Sequence, residues 1–346
     1  MTAETGSQRS RLGLYIPFVI GAVLVAIYSA YWFWMRGQLA AGIDQWIAEQ
    51  RAAGIEINYA SKTVDGFPYR FALQVEAPEI SNPHADISWR GEKLQLVMQP
   101  WNFQHVIGRA PGRNALSLPG GEPVTAFIGD RSAASLSWRG ETIRRFALSL
   151  DEADIVLATG SYGVRDFSVN YAPPAADAED PRHRVALDLG GATLPAAPIE
   201  APWLGEEIDA VRLRLELENP EIVFGARILD PSRYALPDPA FDLAQLLVNW
   251  GPVKLGAKGK VSFRLPDCAP DGVVNFRLEE IEALRGQLEA ANLLTEEVAA
   301  GLSAIGFASN DGGFAPITLR AGTVTFMGQP AGPALPALCP QTLGQQ

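Results

Sequence analysis

The sequence predicts a mainly β (α+β) protein: an N-terminal transmembrane helix, then a long curved antiparallel sheet of repeated hairpins with a few short C-terminal helices. Three observations lead there. No charged residue occurs over residues 12–35. After Gly54 the apolar residues change from helical spacing to alternation. One amphipathic strand pattern then recurs, beginning at Arg70, Arg145 and Arg212.

The uncharged stretch comes first. At about 1.5 Å per residue it crosses a hydrocarbon core of roughly 30 Å with some tilt. Gly13, Pro17 and Gly21 lie inside it, and membrane helices tolerate them. Tyr31-Trp32-Phe33-Trp34 closes it as an aromatic belt. Arg9 and Arg11 precede it and Arg36 follows, so the positive-inside rule puts residues 1–11 in the cytoplasm. A signal peptide is the alternative, but its apolar region is about 7–15 residues long and ends in a small-x-small site. Here Tyr28-Ser29-Ala30 has a bulky residue where a small one is needed. An uncleaved single-pass anchor is expected, with the bulk of the chain outside the cytoplasm.

Leu39, Ile43, Trp46, Ile47 and Gln50 keep helical spacing, which extends the anchor into an amphipathic stalk over residues 36–54. Ile55, Ile57 and Tyr59 then alternate with polar or small residues, and Asp65-Gly66-Phe67-Pro68 makes a turn. Phe71, Leu73 and Val75 alternate on the return strand, which reads as a β-hairpin with one apolar face. That second strand is matched by the segments starting at Arg145 and Arg212, and Ser-Trp-Arg-Gly-Glu occurs at residues 88–92 and 137–141. Each unit reads as a strand, a short acidic turn and a return strand, so the sheet grows by added hairpins.

Residues 55–172 form a first β half. Residues 173–202 are rich in Pro and Ala, with Asp177, Glu179 and Asp180 as an acidic patch, and read as a surface connection. Residues 203–346 form a second half with helices mixed in. Asp238 and Pro239 open one such helix, Leu243, Leu246, Leu247 and Trp250 are its apolar stripe, and Gly251-Pro252 stops it. Strands are expected over residues 253–255, 261–265 and 273–278. Ile281, Leu284, Leu288 and Ala291 mark a helix, Thr295 caps another reaching about Gly306, and a hairpin around Arg320-Ala321-Gly322 closes the chain.

The formal charge of −11 and pI near 4.9 argue against a nucleic-acid partner, since phosphate binding needs clustered Lys and Arg. His84, His105 and His183 lack neighbours at ligand spacing, so no metal or cofactor is expected. Gly259-Lys260 is followed by Val261, which breaks the phosphate-loop pattern. There is no Gly-x-Ser-x-Gly elbow. The acidic pairs, such as Asp151-Glu152 and Glu296-Glu297, read as solvated strand charge and helix-start charge. An enzyme is not expected. Outside the cytoplasm Cys268 and Cys339 can bridge, worth up to about 4 kcal/mol by closing a long loop; two free thiols are the alternative.

Tyr31-Trp32-Phe33-Trp34, then Gly66-Phe67-Pro68-Tyr69-Arg70-Phe71, then Asn249-Trp250-Gly251-Pro252-Val253, in that order, resemble domain of unknown function 2125. The resemblance implies an envelope protein of Gram-negative bacteria, here anchored in the inner (cytoplasmic) membrane with its bulk in the periplasm. In architecture alone, the anchor followed by amphipathic β units is similar to the AsmA-like envelope proteins, which implies a lipid-lined β groove.

The apolar face of the sheet is the remaining candidate site. Phe71, Leu73, Val75, Phe146, Leu148, Leu150, Leu213, Leu215 and Leu217 are expected to line it. Its partner is then lipid from the inner membrane. The alternative is a closed core in a structural protein that belongs to an inner-membrane envelope complex.

Overall fold

A computed structural model describes residues 12–140, 142–174, 182–195, 202–218, 240–264, 269–309, 314–326 and 328–330. One helix, α1 (Leu12–Ala52), opens the chain and joins the uncharged segment to the stalk without a break. Pro17 lies inside it, where the missing N–H leaves the Gly13 carbonyl without its intrahelical donor. Left-handed Gly54 (φ 85°) ends the helical run, and the Ile55 N–H donates to the Gln50 carbonyl at 3.0 Å.

A meander of antiparallel strands follows. The first long strand is β1 (Glu56–Asn58) with β2 (Ser61–Asp65), and the second is β3 (Phe71–Glu76) with β4 (Glu79–Asn82). The third is β5 (Ile87–Gly91) with β6 (Lys93–Gln99), and the fourth is β7 (Asn102–Arg109) with β8 (Gly112–Ser117). The fifth is β9 (Val124–Ile128) with β10 (Ala133–Arg139). Next come β11 (Thr142–Leu157), β12 (Gly160–Ala172), β13 (His183–Leu189) with β14 (Ala192–Thr193), and β15 (Glu207–Glu218). Then β16 (Ala240–Trp250), β17 (Val253–Arg264) and β18 (Ala269–Glu279) lead to two helices, α2 (Ile281–Ala290) and α3 (Glu296–Ser309). The strands β19 (Ala315–Arg320), β20 (Thr323–Phe326) and β21 (Gln329–Pro330) complete the described sheet. Each long strand pairs with the one that follows it in sequence.

A crease crosses the early strands. It passes through Ala77-Pro78, Gly91-Glu92, Ala110-Pro111, residues 129–132, Asp151 and Asp166. Ala77 and Asp166 have positive φ there (47° and 48°). The ladder resumes beyond it: the Ala77 N–H donates to the Glu92 carbonyl at 2.8 Å, and the Asp151 N–H to Ser132 Oγ at 3.1 Å. The acidic segments at Glu76-Ala77-Pro78-Glu79 and Asp151-Glu152-Ala153-Asp154 both sit on this line. They bend a strand that continues in the same direction; they do not return it, which corrects the reading of a turn and return strand. The third copy also differs, because β15 runs opposite to β3 and β11 in the meander. Nor do the two Ser-Trp-Arg-Gly-Glu copies coincide, since Gly91 lies at the crease and Gly140 follows β10 in a hairpin turn.

The helix read over residues 240–250 is a strand. Leu243, Leu246, Leu247 and Trp250 fit helical spacing because β16 contains a bulge between Leu243 and Leu246. One inserted residue turns an alternation of two into a spacing of three. Asp238 and Pro239 lie outside the described residues. The Pro- and Ala-rich span holds β13, whose Val185, Leu187 and Leu189 alternate with Arg184, Ala186 and Asp188. It pairs with β12 and β15, so the sheet continues through this span. Residues 253–264 are one strand where two short ones were expected.

The C-terminal helices stand where their apolar spacing placed them. Leu284 and Leu302 are buried, and Thr295 Oγ1 accepts from the Val298 N–H at 3.3 Å as an N-cap. Cys268 and Cys339 both lie outside the described residues.

Candidate functional site

Directly opposed residues of an antiparallel pair project from the same face. Following the register from strand to strand therefore traces rows across the sheet. One row runs Phe71, Met98, Val106, Leu136, Phe146, Tyr171 and Val185. It goes on through Leu215, Leu243, Gly259, Val274, Ile317 and Phe326. The next runs Leu73, Leu96, Gly108, Ala134, Leu148, Val169 and Leu187. It continues through Leu213, Leu246, Ala257, Phe276 and Ala315. A third, shorter row joins Leu150, Phe167, Leu189, Val211, Val248, Leu255 and Leu278. At about 4.8 Å between neighbouring strands, the first row is roughly 55–60 Å long along the sheet.

The nine residues named from the sequence divide by burial. Phe71 (1% exposed), Val75 and Leu217 are buried, whereas Leu73, Phe146, Leu148, Leu150, Leu213 and Leu215 are half-buried. The helices explain the first group in part. Tyr28, Met35, Leu39, Ala40 and Ile43 of α1 pack with Trp32 against Val64 and Phe71. The Trp32 and Phe71 rings stack at 5.2 Å, and Phe103 continues the stack at 6.1 Å from Phe71. At the far end α3 contacts α2 and, in the sheet, β18 and β19. Between these ends, the main contacts of β11, β12, β13, β15, β16 and β17 are with their sheet neighbours.

The opposite face is wet and charged. Arg214 holds Asp188 in a two-pronged bond (2.8 and 2.9 Å), Lys260 bonds Glu218 at 3.0 Å, and Arg182 pairs with Glu216. Glu280 bonds Lys254 and holds that ammonium above the usual lysine range. Arg145 and Arg212 are exposed. Pairs this accessible contribute little stability each, so the charge mainly marks which side faces water. His105 Nε2 meets Ser135 Oγ at 2.9 Å, and His183 Nδ1 meets the Tyr171 hydroxyl at 2.8 Å. The second contact is a polar spot among apolar rows, since His183 is opposite Leu217 and Tyr171 is opposite Phe146.

Met98, Val106, Leu136 and Val185 belong to these rows but were not named from the sequence. Their signal was strand alternation; their membership needs the register, which no single strand carries. Chemically the rows offer a half-buried apolar surface that α1 covers at one end.

A model of an uncharacterized protein family conserved in bacteria, DUF2125, matches residues 32–334. No curated protein and no solved structure matches the chain.

Proposed function

Because the chain belongs to DUF2125, an uncharacterized family conserved in bacteria, we propose its function from its own surfaces: a non-enzymatic, membrane-anchored envelope protein that holds lipid acyl chains on its sheet. The single observation behind this reading is the pair of long apolar rows, half-buried at their centre and beginning beneath α1. Burying methylenes is favourable by about 0.8 kcal/mol each, so even a partly covered acyl chain gains several kcal/mol on such a surface. The bilayer that α1 would cross is the natural source, because Tyr15 to Ile27 of the helix are exposed and apolar. In this proposal α1 crosses the inner membrane with its N-terminus in the cytoplasm, and the sheet stands in the periplasm.

Three measurements test it. Native mass spectrometry of detergent-extracted protein is expected to show co-purified phospholipid. Leu148→Asn and Leu215→Asn are expected to lower that lipid content severalfold with a melting temperature within about 3 °C of wild type. Lipid-free wild-type protein, with strong destabilisation by both substitutions, would instead favour a closed core in a structural protein. For topology, alkaline phosphatase fused after Gln346 is expected to be active and a cytoplasm-only reporter at the same place silent; the reverse pattern defeats the orientation.

A further inference from the structure

Two hairpin turns lie beside the aromatic belt of α1 at one end of the sheet. Tyr28 donates its hydroxyl proton to the Pro68 carbonyl, and Tyr31 donates to the Pro100 carbonyl at 3.0 Å. These bonds hold the turn between β2 and β3 and the turn between β6 and β7 at the height of residues 28–31. That is about one helical turn from Ile27, the end of the exposed apolar run. The turns present large aromatic side chains outward: Phe67 is 46% exposed, Tyr69 75% and Trp101 64%. Phe33 and Trp34 of the helix are exposed beside them, and the Phe33 and Phe67 rings stack at 5.4 Å. Arg70, in the first turn, is exposed as well.

We propose that Phe67, Tyr69 and Trp101 seat the sheet on the bilayer that α1 crosses, entering the boundary between headgroups and acyl chains. The inference rests on the anchoring reading above and adds a second, turn-built contact. Continuity selects the occupant. The aromatic patch adjoins the exposed part of α1 through the Phe33–Phe67 stack, and Trp and Tyr favour that boundary because one end is apolar and the other hydrogen-bonds. From Leu12 to Tyr31 the helix is roughly 30 Å long, which matches the hydrocarbon core and puts the turns at its edge. The sheet's first apolar row starts at Phe71, one residue after this turn. Seating it therefore brings this end of the row, covered over Phe71 by Trp32 of α1, up to the bilayer surface.

Hydroxyl-radical footprinting of the unmodified full chain tests this, with one copy in each phosphatidylethanolamine–phosphatidylglycerol nanodisc. Oxidation rates are corrected for intrinsic side-chain reactivity. Phe127 and Phe307, exposed elsewhere on the sheet and on α3, are the solvent references. Phe18 in α1 reports on the anchor. Rates at Phe67, Tyr69 and Trp101 about fivefold or more below the references, with Phe18 equally protected, are the expected result. Protection of Phe18 with reference-like oxidation of the three turn residues would overturn the seat and leave the anchor standing. Because no second protein is present, that outcome is also the one expected if the patch awaits a protein partner. Reference-like oxidation of Phe18 itself would defeat the anchoring reading, and the seat with it.

Discussion

Phe71→Ala is expected to lower the unfolding free energy by about 3–5 kcal/mol, whereas Leu148→Ala lowers it by about 1 kcal/mol. Both residues lie on the same apolar face, in neighbouring rows: Phe71 is the second residue of its copy of the recurring strand pattern and Leu148 the fourth of its own. What differs is the cover. Phe71 is 1% exposed, stacked on Trp32 and packed near Val64, so truncation leaves a cavity that a helix and a sheet hold open. Leu148 is half-buried among strand neighbours, and solvent or lipid fills the space its methyl groups leave. Denaturant unfolding of the full chain in micelles measures both. Equal losses at the two positions would mean that the centre of the face is sealed like its end. A loss at Phe71 below about 1.5 kcal/mol would mean that α1 does not hold the sheet.

Gly259→Ala and Gly272→Ala are each expected to cost about 3 kcal/mol, by forcing β17 and β18 apart. The cause is steric. A Cβ on Gly259 would stand 2.2 Å from the Val273 carbonyl oxygen and 2.7 Å from the Val274 Cα. On Gly272 it would stand 2.1 Å from the Lys260 carbonyl oxygen. Those contacts are backbone atoms within a ladder, which cannot swing aside as a side chain does. Gly301→Ala is the control, since nothing lies within 4 Å of a Cβ there and α3 gains helix propensity. Thermal unfolding separates them: the strand variants fall by several degrees and the helix variant holds or rises. Wild-type-like melting of Gly259→Ala would show that β17 and β18 part to admit a methyl group at no cost.

Much of the architecture is legible in the amino-acid order because local periodicity reports local structure. The absence of charge between Arg11 and Arg36, the alternation after Gly54 and the spacing of Leu284 and Leu288 are each read from consecutive residues alone. Two elements were obscured by competing signals. In β16 the bulge between Leu243 and Leu246 imitates a helical stripe. In β13 the alternation of Val185, Leu187 and Leu189 is short and sits in a Pro- and Ala-rich span. The candidate site was partly legible for a different reason. Alternation tells which residues of one strand share a face, but rows such as Phe71 to Phe326 depend on pairing between strands. The burial split between Phe71 and Leu148 depends further on where α1 lies, which neither strand encodes.

The meander also sets an order of assembly. Each long strand finds its partner in the segment made immediately before it, across connections that are mostly short where they are described. Loop closure is correspondingly cheap, and the contacts stay local despite the size of the sheet. The first long strand is flanked on its free side by α1, so growth has one open edge at a time. A chain delivered from its N-terminus, by a ribosome or through a translocation pore, thus presents every strand to a template that already exists. Nothing folded early has to wait for a distant partner, and the exposed edge moves forward with synthesis.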